Sequence, residues 1–385
     1  MNILFVTNYY PSVKHPQFCI FIEQQAQALK KLGHQIEVIV PKSSSKKKFV
    51  KRSLSGITVY DCNYFSLYKE IFCCAILYLN IRSFEEYFDF SQYDVISVHM
   101  FHEYTLRIFN HIAKKYGNKL ILHYHGLSVL YDNPIPLHVN LLQRRGDRSL
   151  LRLVSKADAI VGVSQKVCER IKEYLPNIQL FTVYNGVDTN LFVPSDKKSS
   201  NAFTIISVAS LKRIKGNHYL IDAVSLLIEK YKKMNIKLII IGKGPEKAAL
   251  LSQVKRLHME PYVHFKGLIL YEEVAHVMRQ CDVFAMPSYY EALGCAYLEA
   301  MACRLPAIGC KYQGIDEIIT DGQNGLLVEP HNVRQIFSKL DYLLQNPQRS
   351  SEIAAEGYHT VVEGYTWQDS ALRLLEVYRM ILMEG

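Results

Sequence analysis

Two glutamates in an E-x7-E spacing, Glu291 and Glu299, stand in the stretch PSYYEALGCAYLEAMACRLPAIG (287–309). The run DVFAMPS before it reads as a strand, and Gly294 reads as the start of a helix carrying Glu299. A glycine at a helix start lets a ligand approach the exposed N–H groups, and the helix dipole favours an anion there. Phosphate suits such a place, while carboxylates beside it accept hydrogen bonds from sugar or ribose hydroxyls. Further up the chain, VASLKRIKGNHYLIDA (208–223) again runs from strand through a short loop to helix, with Lys212, Arg213, Lys215 and Gly216 at the entry. Two helix starts, one with cations, can hold a diphosphate without a metal. On the pattern alone, the alternative is a solvated loop acid, a helix acid paired elsewhere and three surface charges.

Other chemistries lack their signatures. TNYYPS after the first strand has no glycine, and Gly242 and Gly244 in IIIGKGPEKAAL have no third glycine in place, so neither is a dinucleotide fingerprint. There is no Walker lysine motif and no D-x-D pair. His123 and His125 form an H-x-H pair that, with His99 or His102, gives a metallohydrolase reading; no matching carboxylate cluster accompanies it. Nine scattered cysteines without C-x-x-C spacing point to reduced thiols and a cytoplasmic setting.

The elements that must position these residues are short β-branched runs alternating with helical patterns. ILFVT (3–7) precedes a helix with apolar positions Phe18, Ile22, Ala26 and Leu29, and IEVIV, DVISVH, KLILHYH and DAIVGVS follow in the same rhythm. A second series starts at FTIISVA (203–209) and continues through IKLIIIG, VHFKG, DVFAMPS and PAIG. Strands apolar on both faces belong in parallel sheets covered by helices. YNGVDTNLFVPSDKKSSN (184–201) reads as a turn and a linker between the series. The expected fold is α/β, two Rossmann-like doubly wound domains, with ligand at the carboxyl ends of the strands in the cleft between them. Its parts are 1–190, 191–365 and a final helix, 366–385, packed through Leu372, Leu375, Val377 and Met380 toward the N-terminal domain.

The 385 residues, about half of them apolar, suit two domains and an ordinary globular composition. Net charge is +9, and residues 1–195 hold 23 basic against 15 acidic side chains. Part of the excess lies in PKSSSKKKFVKRS, with Lys42, Lys46, Lys47, Lys48, Lys51 and Arg52. It reads either as a solvated loop or as a stretch attracting anionic lipid or a phosphate-bearing acceptor; with Tyr60, Tyr64, Phe65, Tyr68 and the apolar run 71–79 it suggests a surface resting on an anionic membrane. That run is too short to span a bilayer, no signal peptide is evident, and no nucleic-acid motif accompanies the charge.

Taken together, the E-x7-E block, LKRIKG, IIIGKGP, VHFKG, YNGVDTNLF and the early NYYPS...FIEQQAQALKKLGH resemble, in order and over nearly the whole chain, the retaining GT-B glycosyltransferases of glycosyltransferase family 4. The resemblance implies transfer of a hexosyl or N-acetylhexosaminyl group, with retained anomeric configuration, from a nucleotide diphosphate sugar, a UDP-sugar first, to a glycan or lipid-linked acceptor. The setting it implies is bacterial surface-polysaccharide synthesis at the inner face of the plasma membrane, with no cofactor or metal. By the same resemblance Glu291, Lys215 and His125 are catalytic, with His125 facing the donor sugar. The backbone around Leu293, Gly294 and Cys295 meets the diphosphate, Glu299 the ribose, and Gly267 and Leu268 the base. Ser210 stands where relatives commonly have arginine, so Lys212 or Arg213 is the expected substitute cation. Tyr10, Pro11 and Cys19 fall on the acceptor side. Cys19 and Arg304 replace frequent glycines; the first is expected to narrow the acceptor loop, the second to affect helix-end packing. A sugar-nucleotide epimerase of the same architecture is the alternative.

Overall fold

The computed structural model describes residues 1–12, 15–44, 48–65, 74–126, 148–195 and 202–384. They divide into two compact units, 1–184 with 370–385 and 185–369.

In the first unit the order is β1 (Asn2–Thr7), α1 (Ile20–Lys31), β2 (Gln35–Ser44), β3 (Lys48–Leu54), β4 (Ile57–Phe65), α2 (Cys74–Tyr87), β5 (Val95–His99), α3 (Glu103–Tyr116), β6 (Lys119–Tyr124), α4 (148–154), β7 (Ala159–Gly162), α5 (Gln165–Lys172) and β8 (Leu180–Thr182). They build one sheet, β3-β4-β2-β1-β5-β6-β7-β8, parallel throughout except for β3 against β4. Ile3 to Val6, Val95, Ile96, Val98 and Leu120 to Leu122 are buried, as strands covered on both faces must be. Helix ends follow local chemistry. Ser164 accepts from the Val167 N–H at the start of α5, and Gly117, at φ 73°, closes α3 behind Lys114 and Lys115.

The hairpin β3–β4 departs from the expected solvated loop. Ser55 and Gly56 both take positive φ, 49° and 76°, the conformation of a two-residue turn between twisted antiparallel strands. Lys42 and Arg52 both bind Asp61, at 2.9 and 2.7 Å. Tyr60 donates to Glu37, and buried Tyr64 stacks on Tyr104 with ring centres 5.0 Å apart. These four side chains, Lys42, Arg52, Tyr60 and Tyr64, have partners within the fold, while Lys51, Tyr78 and Leu79 stand exposed. Lys46, Lys47, Tyr68 and residues 71–73 lie outside the described residues. Among the described residues, no helix is long and apolar enough to cross a membrane.

The second unit contains β9 (Phe203–Val208), α6 (Asn217–Lys230), β10 (Ile236–Ile241), α7 (Lys247–Arg256), β11 (Val263–Gly267), α8 (Tyr271–Met278), β12 (Val283–Ala285), α9 (Cys295–Ala302), β13 (Ala307–Cys310), β14 (Leu326–Val328), α10 (Val333–Gln345) and α11 (Pro347–Gly364). Its sheet, β11-β10-β9-β12-β13-β14, is parallel at every pairing. This is the doubly wound order, in which connections leave the two central strands in opposite directions.

The last helix, α12 (Trp367–Met383), joins the first unit from Ser370 onward. Its buried face is not the one expected. Ala371, Leu374, Leu375, Val377, Tyr378 and Ile381 are buried, whereas Leu372 and Met380 stand exposed. Two of the four expected positions thus belong to a neighbouring stripe, because several apolar residues in succession leave the helical phase ambiguous. Phe18, expected on α1, precedes the helix and is also exposed.

Candidate active site

β9 and β12 are neighbours at the point where the winding of the second sheet reverses. The loops leaving their carboxyl ends, 209–216 and 286–294, therefore bound the crevice where such sheets take ligands. Backbone chemistry ties the loops together. Tyr289 N–H donates to the Ile214 carbonyl at 3.0 Å, and the Ser288 hydroxyl donates to the same oxygen at 3.1 Å. Gly216, at φ 70°, lies so close that an added Cβ would sit 2.1 Å from the Pro287 carbonyl oxygen. A third loop backs the first: Leu211 N–H donates to the Lys243 carbonyl at 3.0 Å, and Gly242 and Gly244 press on the carbonyls of Ala209 and Leu211. In this setting GKGP is a packing element.

This arrangement brings Lys215 to Glu291. Their side chains, 17% and 12% exposed, form a direct ion pair. Arg213 points outward, 68% exposed and 3.8 Å from Glu246, and Lys212 and Ser210 are exposed as well. Of the three loop cations, only Lys215 meets a glutamate of the E-x7-E block. Glu291 is fixed from behind, its N–H donating to the Gln313 side chain at 3.0 Å and its carbonyl accepting from Gly314 at 3.2 Å. Gly294, at φ 84°, caps α9 against the buried Tyr297 ring, where a Cβ would come within 2.7 Å. Leu293, before it, is buried. Cys295 receives the Asn185 amide at 3.4 Å, and burial pushes its thiol up to about 12, which keeps it an inert neutral group. Gly267 has open space where a Cβ would stand, and Leu268 beside it is 59% exposed.

Glu299 lies one and a half turns into α9, 7% exposed, accepting from the Tyr271 hydroxyl at 2.8 Å. Burial pushes its carboxyl from 4.5 up to about 7. Between those values the folded chain holds a proton that the unfolded chain has released. The stability this group contributes is therefore whole below about 4.5 and is lost as pH rises through about 7. Glu299→Gln is expected to remove that slope, worth at most about 3 kcal/mol across the window. Melting temperatures of both proteins over this pH range check it, and parallel profiles would contradict it.

In the first unit the winding reverses between β1 and β5. Tyr10 and Pro11, on the loop after β1, are buried, and the Tyr10 hydroxyl has no partner among the described residues. Cys19 directly precedes α1 at φ 54°, and burial raises its thiol to about 11. Arg304 likewise sits at φ 58°. Both positions occupy left-handed backbone that glycine adopts freely, which is the physical reason for glycine there. Arg304 lies at the end of α9, its N–H donating to the Met301 carbonyl at 2.9 Å.

His125 follows β6, with the Phe21 ring of α1 4.6 Å away. His99, His123 and His125 lie together, their nearest ring nitrogens within 4.8 Å of one another, while His102 turns instead to the Tyr9 hydroxyl at 3.1 Å. The H-x-H pair therefore has His99 as its neighbour, but the three rings are stacked, 17° to 22° from parallel. His99 Nδ1 and His125 Nε2 face each other at 3.1 Å as a hydrogen-bonded pair, and among the described residues no carboxylate joins the cluster.

Gln313 and Tyr271, which hold the two glutamates, carried no signal in the sequence. They are 22 and 28 residues from their partners and belong to no motif.

The family model described as Glycosyltransferase Family 4 matches residues 20–191, and that described as Glycosyl transferases group 1 matches 189–360. The chain belongs to this glycosyltransferase family. Among curated relatives of this glycosyltransferase, the N-acetyl-alpha-D-glucosaminyl L-malate synthase of Bacillus anthracis is 26% identical over 69% of each chain. The D-inositol 3-phosphate glycosyltransferase of Arthrobacter sp. strain FB24 is 28% identical over 61% of this chain, and the match spans 58% of that relative's length. Among solved structures, Anabaena Alr3699/HepE in complex with UDP superimposes with a TM-score of 0.74 over 99% of this chain and 100% of that one, at 18% identity. That likeness shows the fold of the glycosyltransferase, two Rossmann-like domains of the GT-B kind.

Proposed function

We propose that this glycosyltransferase moves a sugar from a nucleotide diphosphate sugar, a UDP-sugar, to a hydroxyl of a glycan or lipid-linked acceptor, with retention of anomeric configuration and without a metal. The observation that carries the reading is the Lys215–Glu291 pair at the switch point of the second sheet, next to the glycine-capped start of α9. In the reaction the bond between the anomeric carbon and the phosphate oxygen breaks, the acceptor oxygen bonds to that carbon, and its proton leaves with the diphosphate. Lys215 and the first N–H groups of α9 stabilise the negative charge that develops on the leaving group. Glu291 accepts from sugar hydroxyls, Glu299 from the ribose, and the open backbone at Gly267 receives the base. UDP is the first choice of nucleotide because a relative of the same fold was solved with it.

UDP at a hundredfold excess over its Kd is expected to add about 2.7 kcal/mol to the stability of the fold. A rise in melting temperature with UDP that exceeds those with GDP and ADP, unchanged by a chelator, checks this. Equal responses to all three, or loss of the response on chelation, would overturn the choice of donor or the absence of metal. Incubating the bound UDP-sugar without acceptor separates transfer from epimerisation, since only an epimerase then yields the epimer.

A further inference from the structure

We infer that Tyr378, Ser97 and His99 form a one-way hydrogen-bond chain that holds His125 with its proton on Nδ1, so that the ring presents a neutral N–H donor to an oxygen of the substrate. The links are all within the first unit. The Tyr378 hydroxyl, on α12, lies 2.9 Å from Ser97 Oγ. Ser97 Oγ lies 3.0 Å from His99 Nε2, and His99 Nδ1 lies 3.1 Å from His125 Nε2. Tyr378, Ser97 and His99 are fully buried, so no solvent competes for these bonds. At the end of the chain, His125 Nδ1 is buried with no partner among the described residues. A buried polar atom without a partner is costly, and a bound group is what would satisfy it.

The direction follows from counting protons. A phenol is a better donor than an aliphatic hydroxyl, and a serine hydroxyl has one proton to give. Tyr378 therefore donates to Ser97, and Ser97 passes its own proton to His99 Nε2. A neutral imidazole that accepts at one nitrogen carries its proton on the other, so His99 Nδ1–H donates to His125 Nε2. By the same rule His125 carries its proton on Nδ1. His123 Nε2 completes the count by donating to the Tyr378 oxygen at 3.4 Å. The reverse polarity would make Tyr378 give up its 2.9 Å bond to Ser97 as donor and send its proton along this longer contact instead. The rings are neutral because burial holds His99, His123 and His125 well below the usual imidazole range, and three stacked cations would repel one another.

An Nδ1–H cannot take a proton from an attacking hydroxyl, so this chemistry makes His125 a donor to oxygen and not a general base. Tyr378, Ser97 and His99 are positioning residues. The contact with substrate rests on the proposed transfer reaction; the tautomer does not.

The test is long-range proton–nitrogen correlation NMR on the full chain with 15N-labelled histidine, the His125 ring assigned by its loss in His125→Gln. The expected wild-type pattern is a protonated Nδ1 and an unprotonated Nε2. His99→Phe keeps the stacked ring but removes the donor, and should shift His125 toward Nε2–H. His99→Asn, whose amide stands near the former Nδ1, should restore the original pattern. Tyr378→Phe, which frees the Ser97 proton, should give a mixture and serves if His99→Phe does not fold. A wild-type Nε2–H ring, or a pattern indifferent to both His99→Phe and Tyr378→Phe, overturns the chain. In the transfer assay His99→Phe should lower kcat at least about tenfold, with partial recovery in His99→Asn. The predicted tautomer with unchanged kcat would overturn the substrate contact alone. Absence of transfer in the wild type would overturn the proposed reaction and leave the NMR result standing.

Discussion

Lys215→Met is expected to lower turnover by at least about a hundredfold, the effect of removing one preorganised partner of a developing charge, about 3 kcal/mol. The same substitution strands Glu291, whose side chain is 12% exposed and whose ion-pair partner is Lys215. An added stability loss on the order of 2 kcal/mol follows, below the cost for a fully buried pair. The two consequences separate in a double variant. Lys215→Met with Glu291→Gln removes the stranded charge and should recover most of the stability measured by denaturant unfolding, while steady-state turnover stays low. Turnover within a fewfold of wild type in the folded single variant would remove Lys215 from the chemistry.

Gly216→Ala is expected to cost several kcal/mol and to abolish the UDP-dependent rise in melting temperature. Two penalties combine: left-handed backbone at φ 70° and a methyl group 2.1 Å from the Pro287 carbonyl. The first is worth about 1 kcal/mol and the second about 1–3 kcal/mol, together a fall of roughly 5–10 °C. The clash can be relieved only by parting the loops that carry Lys215 and Glu291, so binding falls with stability. Gly322→Ala is the control, since Gly322 shares the positive φ, 79°, but meets no atom within 4 Å. It should show the backbone penalty alone. Equal losses in the two variants would mean that close approach at Pro287 plays no part.

What could be read from the sequence was local. Gly294 before an apolar helix, the E-x7-E spacing and the cationic LKRIKG loop each declare themselves within a dozen residues, and each lies where its pattern implied. What could not be read depends on chain segments that meet only after folding. Tyr378 reaches Ser97 across 281 residues, and no spacing rule announces a contact that α12 makes on reaching β5. The pairing of Lys215 with Glu291, and of neither Lys212 nor Arg213, required knowing which way a three-residue turn points. The β3–β4 hairpin was missed for another reason. Its lysines suggested solvent, while the Ser55–Gly56 turn between Leu54 and Ile57 was the sounder signal.

The six strands of the second sheet all point one way, so its two rims live under different constraints. Connections entering the strands, such as 232–235 and 258–262, emerge at the rim away from Lys215 and Glu291, where drift or insertion disturbs little. The eight residues from Val208 to Lys215 have no such latitude, being clamped on one side by the Lys243 loop and on the other by Ser288 and Tyr289. New specificities are thus most cheaply acquired by exchanging side chains along that clamped path while its length is kept.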